Sequence, residues 1–180
     1  MNIISRYLTA IAAATALASN IYGADNRPAV AIVIDKTTYE AVKPAVAEYA
    51  ASLATDGKRG VVLTDNISHP DSIRMQLLKL YKNDNLEGAL LIGDIPVAMV
   101  RDAQHFTTAF KMNQKSDWKD SSVPSDRFYD DFDLKFDYIR QDVVVPSLHY
   151  YSLRADSPQY ICCDIYSSRI KVPVGVAEDV

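Results

Sequence analysis

The sequence is organised around Glu87–Pro96, which reads EGALLIGDIP. Its apolar residues follow one another without a polar interruption from Ala89 to Ile92, and Gly93, Asp94 and Pro96 close the run. Uninterrupted apolar runs are typical of strands that are buried on both faces, as parallel strands are in α/β folds. Because ligands of such folds bind at the carboxyl ends of the strands, the stretch predicts a buried strand with Asp94 at a functional edge.

Two similar apolar runs, Ala29–Ile34 and Gly60–Thr64, precede this strand. Each is followed by a segment of helical length and periodicity before the next apolar run begins. This alternation predicts two consecutive βαβ units with right-handed crossovers. The fold class that follows is α/β, with a parallel sheet and flanking helices.

The two intervening segments carry helix signals. Thr37 and Glu40 have the spacing of a capping box, and Ser68 is positioned to cap the second helix. Pro44 has no amide to donate and predicts a kink in the first helix or a start just before it. The predicted buried faces are Val42, Val46, Tyr49 and Leu53 in the first helix, and Ile73, Leu77, Leu80 and Tyr81 in the second.

Residues 1–24 differ in composition from the rest of the chain. Arg6 is their only charged side chain, Tyr7–Ala18 is almost wholly apolar or small, and Ala16-Leu17-Ala18 fits the small-x-small cleavage rule. This pattern predicts a secretory signal peptide, with an amphipathic first helix as the alternative. The apolar run is shorter than a membrane-spanning helix requires. Residues 25–180 are therefore expected to be exported to the periplasm, cell surface or extracellular space, without membrane association after cleavage.

The composition of the chain and the motifs it lacks narrow the range of functions to be considered. The chain is 48% hydrophobic with a formal net charge of −4, which gives no electrostatic reason to expect nucleic acid or an anionic membrane as a partner. No glycine-rich phosphate loop follows the first strand, where the sequence is Asp35–Thr38, and no Gly-Lys-Ser/Thr run occurs. The zinc patterns His-Glu-x-x-His and Cys-x-x-Cys are also missing. No organic cofactor is expected.

Cys162 and Cys163 are adjacent, and no other cysteine is present. One interpretation places one or both in the core of a strand, because free cysteines are often buried. The other makes one a catalytic nucleophile, which requires a histidine to accept its proton. His149 is the histidine nearest in sequence; the other two are His69 and His105.

The segment Pro124–Asp133, PSDRFYDDFD, interleaves carboxylates with aromatic residues. Asp130, Asp131 and Asp133 offer hard oxygen ligands, so calcium is a candidate ion, although the glycine and closing glutamate of the twelve-residue calcium loop are missing. A solvated acidic turn is one alternative. Another is that a carboxylate of this segment lines a pocket and pairs with a basic substrate side chain.

The remaining segments give weaker signals. Val97–Val123 shows little periodicity, which favours a functional loop or an insertion. Leu134–Ile139 and Asp142–Val145 are predicted to form a hairpin. Asp164–Ile170 is predicted to be a further strand of the sheet, with Arg169 near its carboxyl end.

Three of these segments in this order resemble the gingipain-like secreted cysteine peptidases, which share a caspase-like α/β fold. They are Leu90–Pro96, the Ser-Asp-x-x-Tyr motif at 125–129, and the Asp-Ile-x-x-x-Arg-Ile motif at 164–170. The resemblance implies a three-layer sandwich. It also implies that Asp126 contacts the basic side chain before the scissile bond, and Asp94 is the second substrate-binding candidate.

The resemblance places the catalytic histidine and cysteine on strands that follow the Arg-Ile pair, and the sequence to Val180 contains neither. Residues 25–180 are thus interpreted as the amino-terminal portion of such a domain, with an incomplete sheet and no catalytic residue of its own. The expected partners are a polypeptide substrate or the missing carboxyl-terminal half. The main alternative is a secreted, non-catalytic α/β module that binds a ligand or partner at the Asp94 and Asp126 end. A receiver- or flavodoxin-like domain also fits the βαβ pattern.

Overall fold

The computed structural model describes residues 25–106 and 112–171, so the predicted signal peptide at 1–24 lies outside the described residues. Within the described ranges the chain forms eight strands arranged as two four-stranded sheets, together with three α-helices. None of the helices in this part of the chain has the length and apolar character needed to cross a bilayer.

The first sheet is fully parallel, as predicted. Its strands lie in the order β2-β1-β3-β8, where β1 is Ala29–Ile34, β2 is Arg59–Leu63, β3 is Leu86–Ile92 and β8 is Tyr166–Ile170. Every residue of β1 is at most 1% exposed, as expected for a strand between two others and covered on both faces. The predicted α/β class and parallel sheet with flanking helices are confirmed.

Two helices cover opposite faces of this sheet. Helix α1 (Lys36–Thr55) packs Val46 against one face of β1, whereas helix α2 (Pro70–Asp84) packs against the other face, which carries the alanines of β1. The chain therefore leaves β1 toward β2 on one side and returns to β3 on the other. The carboxyl ends of β1 and β3 flank the point where the strand order reverses, which is where open α/β sheets form their binding crevice.

Both helices begin at caps other than the predicted ones. Asp35 caps α1 by accepting a hydrogen bond from the Thr38 amide at 2.9 Å, and His69 Nδ1 accepts the Asp71 amide at 3.3 Å at the start of α2. The predictions that Thr37 forms a capping box and that Ser68 caps the second helix are therefore wrong. Asp35 follows β1 directly and reaches the first turn, and a proline in the first turn of α2 makes the preceding residue the cap.

The predicted kink in α1 is confirmed, since Val42 has non-helical angles of φ −116° and ψ 18° two residues before Pro44. The predicted apolar faces are only partly buried. Val46 and Leu53 of α1 are buried, and so are Ile73 and Leu77 of α2, but Val42, Tyr49 and Tyr81 are more than a third exposed.

The sequence did not predict the second sheet. It has the order β5-β4-β7-β6, with β4 at Val97–Arg101, β5 at Val123–Pro124, β6 at Phe136–Gln141 and β7 at Leu148–Leu153. Strands β6 and β7 do form an antiparallel pair, but the predicted second strand at 142–145 is the connection. Asp142 accepts the amides of Val144 and Val145, which closes a turn there and leaves the valines exposed.

A core rich in aromatic residues fills the space between α2 and the second sheet. Helix α3 (Arg127–Asp130) contributes Phe128, whose ring packs on Tyr151 with 4.4 Å between the ring centroids. The Arg74 guanidinium of α2 lies 5.2 Å from the Phe128 ring centroid and 5.5 Å from that of Phe136. Arg74 also donates to the carbonyls of Phe128 and Leu134, so the cation is held by both rings and backbone oxygens.

Strand β8 forms one edge of the parallel sheet. Among the described residues it pairs only with β3, and its side chains alternate between exposed and half-buried. Tyr166 is 48% exposed and Ile170 is 49% exposed. An edge strand with two exposed large apolar side chains of this kind offers unpaired backbone groups to another strand.

We expect the purified chain to self-associate through β8, and Ile170→Lys to shift it toward monomer, because a lysine on an edge strand opposes strand pairing. Val144→Lys is the matched control, since Val144 is 81% exposed but lies in a turn. Sedimentation velocity over a range of concentrations measures the change. A sharply melting monomer at every concentration, before any substitution, would contradict the expectation.

Candidate functional site

A cleft of about 520 Å³ lies at the carboxyl ends of β1 and β3. One wall is the segment that follows β2, and the opposite wall is the connection between β6 and β7. The first residues of α1 and the segment after β3 complete the lining. The residues concerned are Asp35, Lys36, Thr64–Ser68, Asp94, Pro96, Gln141, Pro146 and Ser147. The cleft occupies the position that the strand order predicts, and the substrate-binding candidate Asp94 belongs to its lining.

Asp35 links the two strand ends that flank the cleft. Its carboxylate accepts the Thr38 amide and hydroxyl from α1 and, at 3.0 Å, the Asp94 amide from the loop after β3. Burial opposes ionisation of this group, but the hydrogen bonds outweigh burial and lower the pKa of Asp35. The carboxylate is therefore a fixed negative charge that holds the β3 loop to the start of α1.

Gly93 makes this contact sterically possible. Its φ is +82°, and a Cβ atom at this position would lie 2.2 Å from Asp35 Oδ2 and 2.6 Å from Thr38 Oγ1. The turn therefore requires both the left-handed backbone and the missing side chain.

The cleft rim carries mixed charge. Asp94 is exposed, with Lys171 Nζ 3.7 Å from its carboxylate, and Lys36 pairs with Asp65 at 2.7 Å. All four side chains are more than half exposed, so these ion pairs contribute little to stability and are open to exchange with a charged ligand.

Gly93→Ala is expected to lower the free energy of unfolding by about 3 kcal/mol or more, because left-handed strain adds to the loss of hydrogen bonds to a charged group. Gly57→Ala is the matched control: Gly57 also has a positive φ of +74°, but no atom lies within 4 Å of its Cβ position. That control should cost only about 1 kcal/mol. Urea unfolding measures both, and equal losses would show that contact with Asp35 is unimportant.

The other substrate-binding candidate, Asp126, is engaged within the chain. The Arg169 guanidinium donates to its carboxylate at 2.7 Å from Nη2 and at 3.1 Å from Nε. Arg169 also donates to the carbonyls of Ile95 and Pro96, and the Tyr129 hydroxyl donates to the same Pro96 carbonyl at 2.8 Å. These five residues are called the Arg169 network below. Burial disfavours the charge of Arg169, but pairing with Asp126 raises its pKa overall.

Asp126→Asn is expected to lower the free energy of unfolding by about 2 kcal/mol, because Arg169 would keep its burial and lose its charged partner. For a chain of this size the thermal midpoint falls by roughly 4–8 °C. Asp156→Asn removes a carboxylate that also pairs with an arginine but is 56% exposed, and should change the midpoint little. Differential scanning calorimetry measures both variants, and similar midpoints would argue against a structural role for the pair.

The candidate calcium ligands do not form a metal centre in the described part of the chain, where no three His, Cys, Asp or Glu side chains are arranged to hold an ion. Asp130 is fully buried against Arg127 at 2.5 Å and accepts the Ser167 hydroxyl. Asp131 accepts the Cys162 amide at 2.8 Å, and Asp133 is exposed. The first two carboxylates thus anchor the segment around β8, and burial raises the pKa of Asp130.

The cysteines are exposed in the segment before β8, so the predicted burial in a strand is wrong. The Cys162 amide donates to the Asp131 carboxylate, which lies outside the sheet. The Cys163 sulfur contacts the Arg127 guanidinium, yet partial burial raises the pKa of this thiol above its ordinary value. Among the described side-chain hydrogen bonds, none joins either sulfur to a histidine, and the thiols lack the base that a nucleophile needs.

Sequence reasoning overlooked a cluster around His149. This side chain is 2% exposed, and its ring lies edge-to-face on His69 with 4.6 Å between centroids. Within residues 25–106 and 112–171, neither His149 nitrogen has a hydrogen-bond partner, and the hydroxyl of the buried Tyr151 has none either. The only sequence signal was a histidine within an apolar and aromatic run, which is Leu148–Leu153. His105 lies elsewhere, exposed in a short 3₁₀ helix.

Comparisons with protein-family models, with curated proteins and with solved structures found no match for this chain.

Proposed function

We propose that residues 25–180 are the amino-terminal portion of an exported gingipain-like cysteine endopeptidase domain with a caspase-like fold. In this proposal the chain contributes residues of the substrate pocket, Asp126 and Asp94, and lacks the catalytic histidine and cysteine. No cofactor takes part. The partners are a polypeptide substrate and the carboxyl-terminal half of the domain.

One observation carries the proposal: the three segments on which the resemblance rests meet in the Arg169 network. Ile95 and Pro96 come from the first segment, Asp126 and Tyr129 from the second, and Arg169 from the third. Arg169 lies 43 residues from Asp126 and 74 residues from Ile95 in sequence. If the three motifs had matched by chance, their residues would not be expected to meet around one guanidinium. Their contact therefore supports the interpretation that they are parts of one structural unit.

The environment of the thiols and the sheet edge agree with an incomplete catalytic domain. Cys163 is kept protonated and has no imidazole partner among the described hydrogen bonds, so the chain has no activated nucleophile there. Among the described strands, β8 forms an edge of the parallel sheet. Further strands of the complete domain would pair with this edge. The dyad of the proposed enzyme would then lie on those strands, beside the Arg169 network.

The pairing of Asp126 bears on substrate recognition. A carboxylate that already accepts two hydrogen bonds from Arg169 can take a basic substrate side chain only by sharing its remaining lone pairs or by releasing Arg169. Asp94 is exposed, and its ion pair with the exposed Lys171 at 3.7 Å is open to exchange, so it can bind a basic side chain first. We therefore place Asp94 at the entry of the substrate path and Asp126 deeper in the pocket.

The purified chain is expected not to hydrolyse arginyl or lysyl peptide substrates, because the dyad is missing from it. Fluorogenic peptides under reducing conditions test this, with Cys162→Ser and Cys163→Ser as matched variants. Cleavage that is abolished by alkylation and by one of these substitutions would overturn the proposal and assign that cysteine as the nucleophile. A reading frame that continues past Val180 with a Gly-His pair and then a cysteine on an apolar strand would support it.

The second candidate function is a non-catalytic binding module, which the cleft at the β1 and β3 ends favours. Such a module binds at the Asp94 end without needing any further strand. The discriminating measurement is calorimetric titration of the chain with basic peptides. Tight binding that Asp94→Asn abolishes and Asp156→Asn leaves intact, together with a natural stop codon after Val180, would favour the module over the peptidase fragment.

A further inference from the structure

We propose that the His69–His149 contact is a pH-operated latch, which holds the two walls of the cleft together near neutral pH and releases them in mild acid. The latch is a property of this chain's own residues and does not depend on whether the cleft serves a peptidase or a binding module.

The two histidines are close in the chain to residues of both cleft walls. Ser68, which precedes His69, belongs to the wall that follows β2, and Ser147 belongs to the opposite wall two residues before His149. Gln141, also in that opposite wall, is the strand partner of His149. The imidazole contact therefore joins the amino-terminal end of α2 to the β6–β7 hairpin, next to residues that line the cleft.

The surroundings of His149 favour its neutral form. This side chain is 2% exposed, and both of its nitrogens lack a hydrogen-bond partner among the described residues, so a proton added there has no acceptor to stabilise it. The aromatic ring of Tyr138 on β6 lies 6.3 Å from the His149 ring between centroids, and the strand partner of His149 on β4 is Ala98. Burial lowers the pKa of His149, and the nearby His69 lowers it further.

Among the described residues, the one carboxylate that opposes this effect comes from α2. Asp71 favours the charged form of His149, but it also lies 3.4 Å from His69 Nδ1 and gives its amide to the same atom. It is half-exposed, which screens its charge. The net effect on His149 remains a lowered pKa, so protonation is disfavoured while the latch is closed.

The sign of the pH response follows from linkage. An opened hairpin exposes His149 to water, where its pKa returns toward about 6.5, so the open form binds a proton more readily than the closed form. As the pH falls below about 6.5 the closed form loses stability relative to the open form. One proton limits this change to about tenfold in the opening equilibrium per pH unit.

Hydrogen exchange of the full chain tests the latch directly. After correction for intrinsic exchange rates, protection of the β6–β7 amides should fall between pH 7.5 and pH 5, by up to about tenfold per pH unit. Protection of β1 should stay unchanged. His149→Phe keeps an aromatic ring that cannot be charged and should remove the pH dependence, whereas His105→Phe, at an exposed site, should behave as the wild type.

Three results would overturn the latch: unchanged β6–β7 protection in the wild type, an equal acid loss in His149→Phe, or an equal loss of protection throughout the first sheet. If His149→Phe fails to fold, His69→Asn is the alternative variant, because asparagine can still cap the helix. This variant removes the second imidazole and should reduce the loss of β6–β7 protection in acid. The proton NMR titration of His149 in the wild type is an independent readout. A midpoint at or above 6.5 shows that the closed form accepts the proton freely and also rejects the proposal.

Discussion

The bidentate pairing of Arg169 with Asp126 is the interaction on which the arrangement of the two sheets depends. Arg169 lies at the end of the edge strand β8, and its guanidinium also binds the backbone carbonyls of Ile95 and Pro96. These carbonyls belong to the short link through which the chain leaves the first sheet at β3 and enters the second at β4. An arginine suits this role because its planar fork satisfies a carboxylate and two carbonyls at the same time.

The same link also supports the cleft. Asp94, near its start, is held to the first turn of α1 through Asp35, while Ile95 and Pro96, immediately afterwards, are held by Arg169. Two charged side chains, one from each side of β3, thus fix three consecutive residues. A buried apolar strand that ends in such a link gives the carboxyl edge of the sheet a defined shape, which a binding site needs.

Much of the first sheet could be predicted from sequence because its signals are local. Uninterrupted apolar runs mark β1 and β3, and the helical periodicity of α2 marks the buried Ile73 and Leu77. The helix caps were missed by one or two positions, since Asp35 lies two residues before Thr37 and His69 lies one residue after Ser68. Over such a short separation, the residue that caps the helix is the one whose side chain the preceding strand or loop presents to the first turn.

The second sheet and most of the site chemistry could not be predicted, because their causes lie far apart in sequence. Strand β4 is short and half-buried, and it pairs with β7 about fifty residues later, so no local pattern distinguishes it from a loop. Likewise, sequence alone could identify Asp126 and Arg169 as separate motif residues but not as partners. The cysteines illustrate the opposite error, since both are exposed in the segment before β8 despite the general tendency of free cysteines toward burial.

The link at residues 93–96 couples the cleft to the Arg169 network, and this has a consequence for any ligand. The Asp94 amide is held by Asp35, and the carbonyls of the next two residues, Ile95 and Pro96, are held by Arg169. A ligand that moves this loop must therefore weaken hydrogen bonds to Asp35, to Arg169 or to both. Because Arg169 shares its donors between the loop and Asp126, displacement of the loop also changes how strongly Asp126 is neutralised. The two substrate-binding candidates are thus linked through one guanidinium.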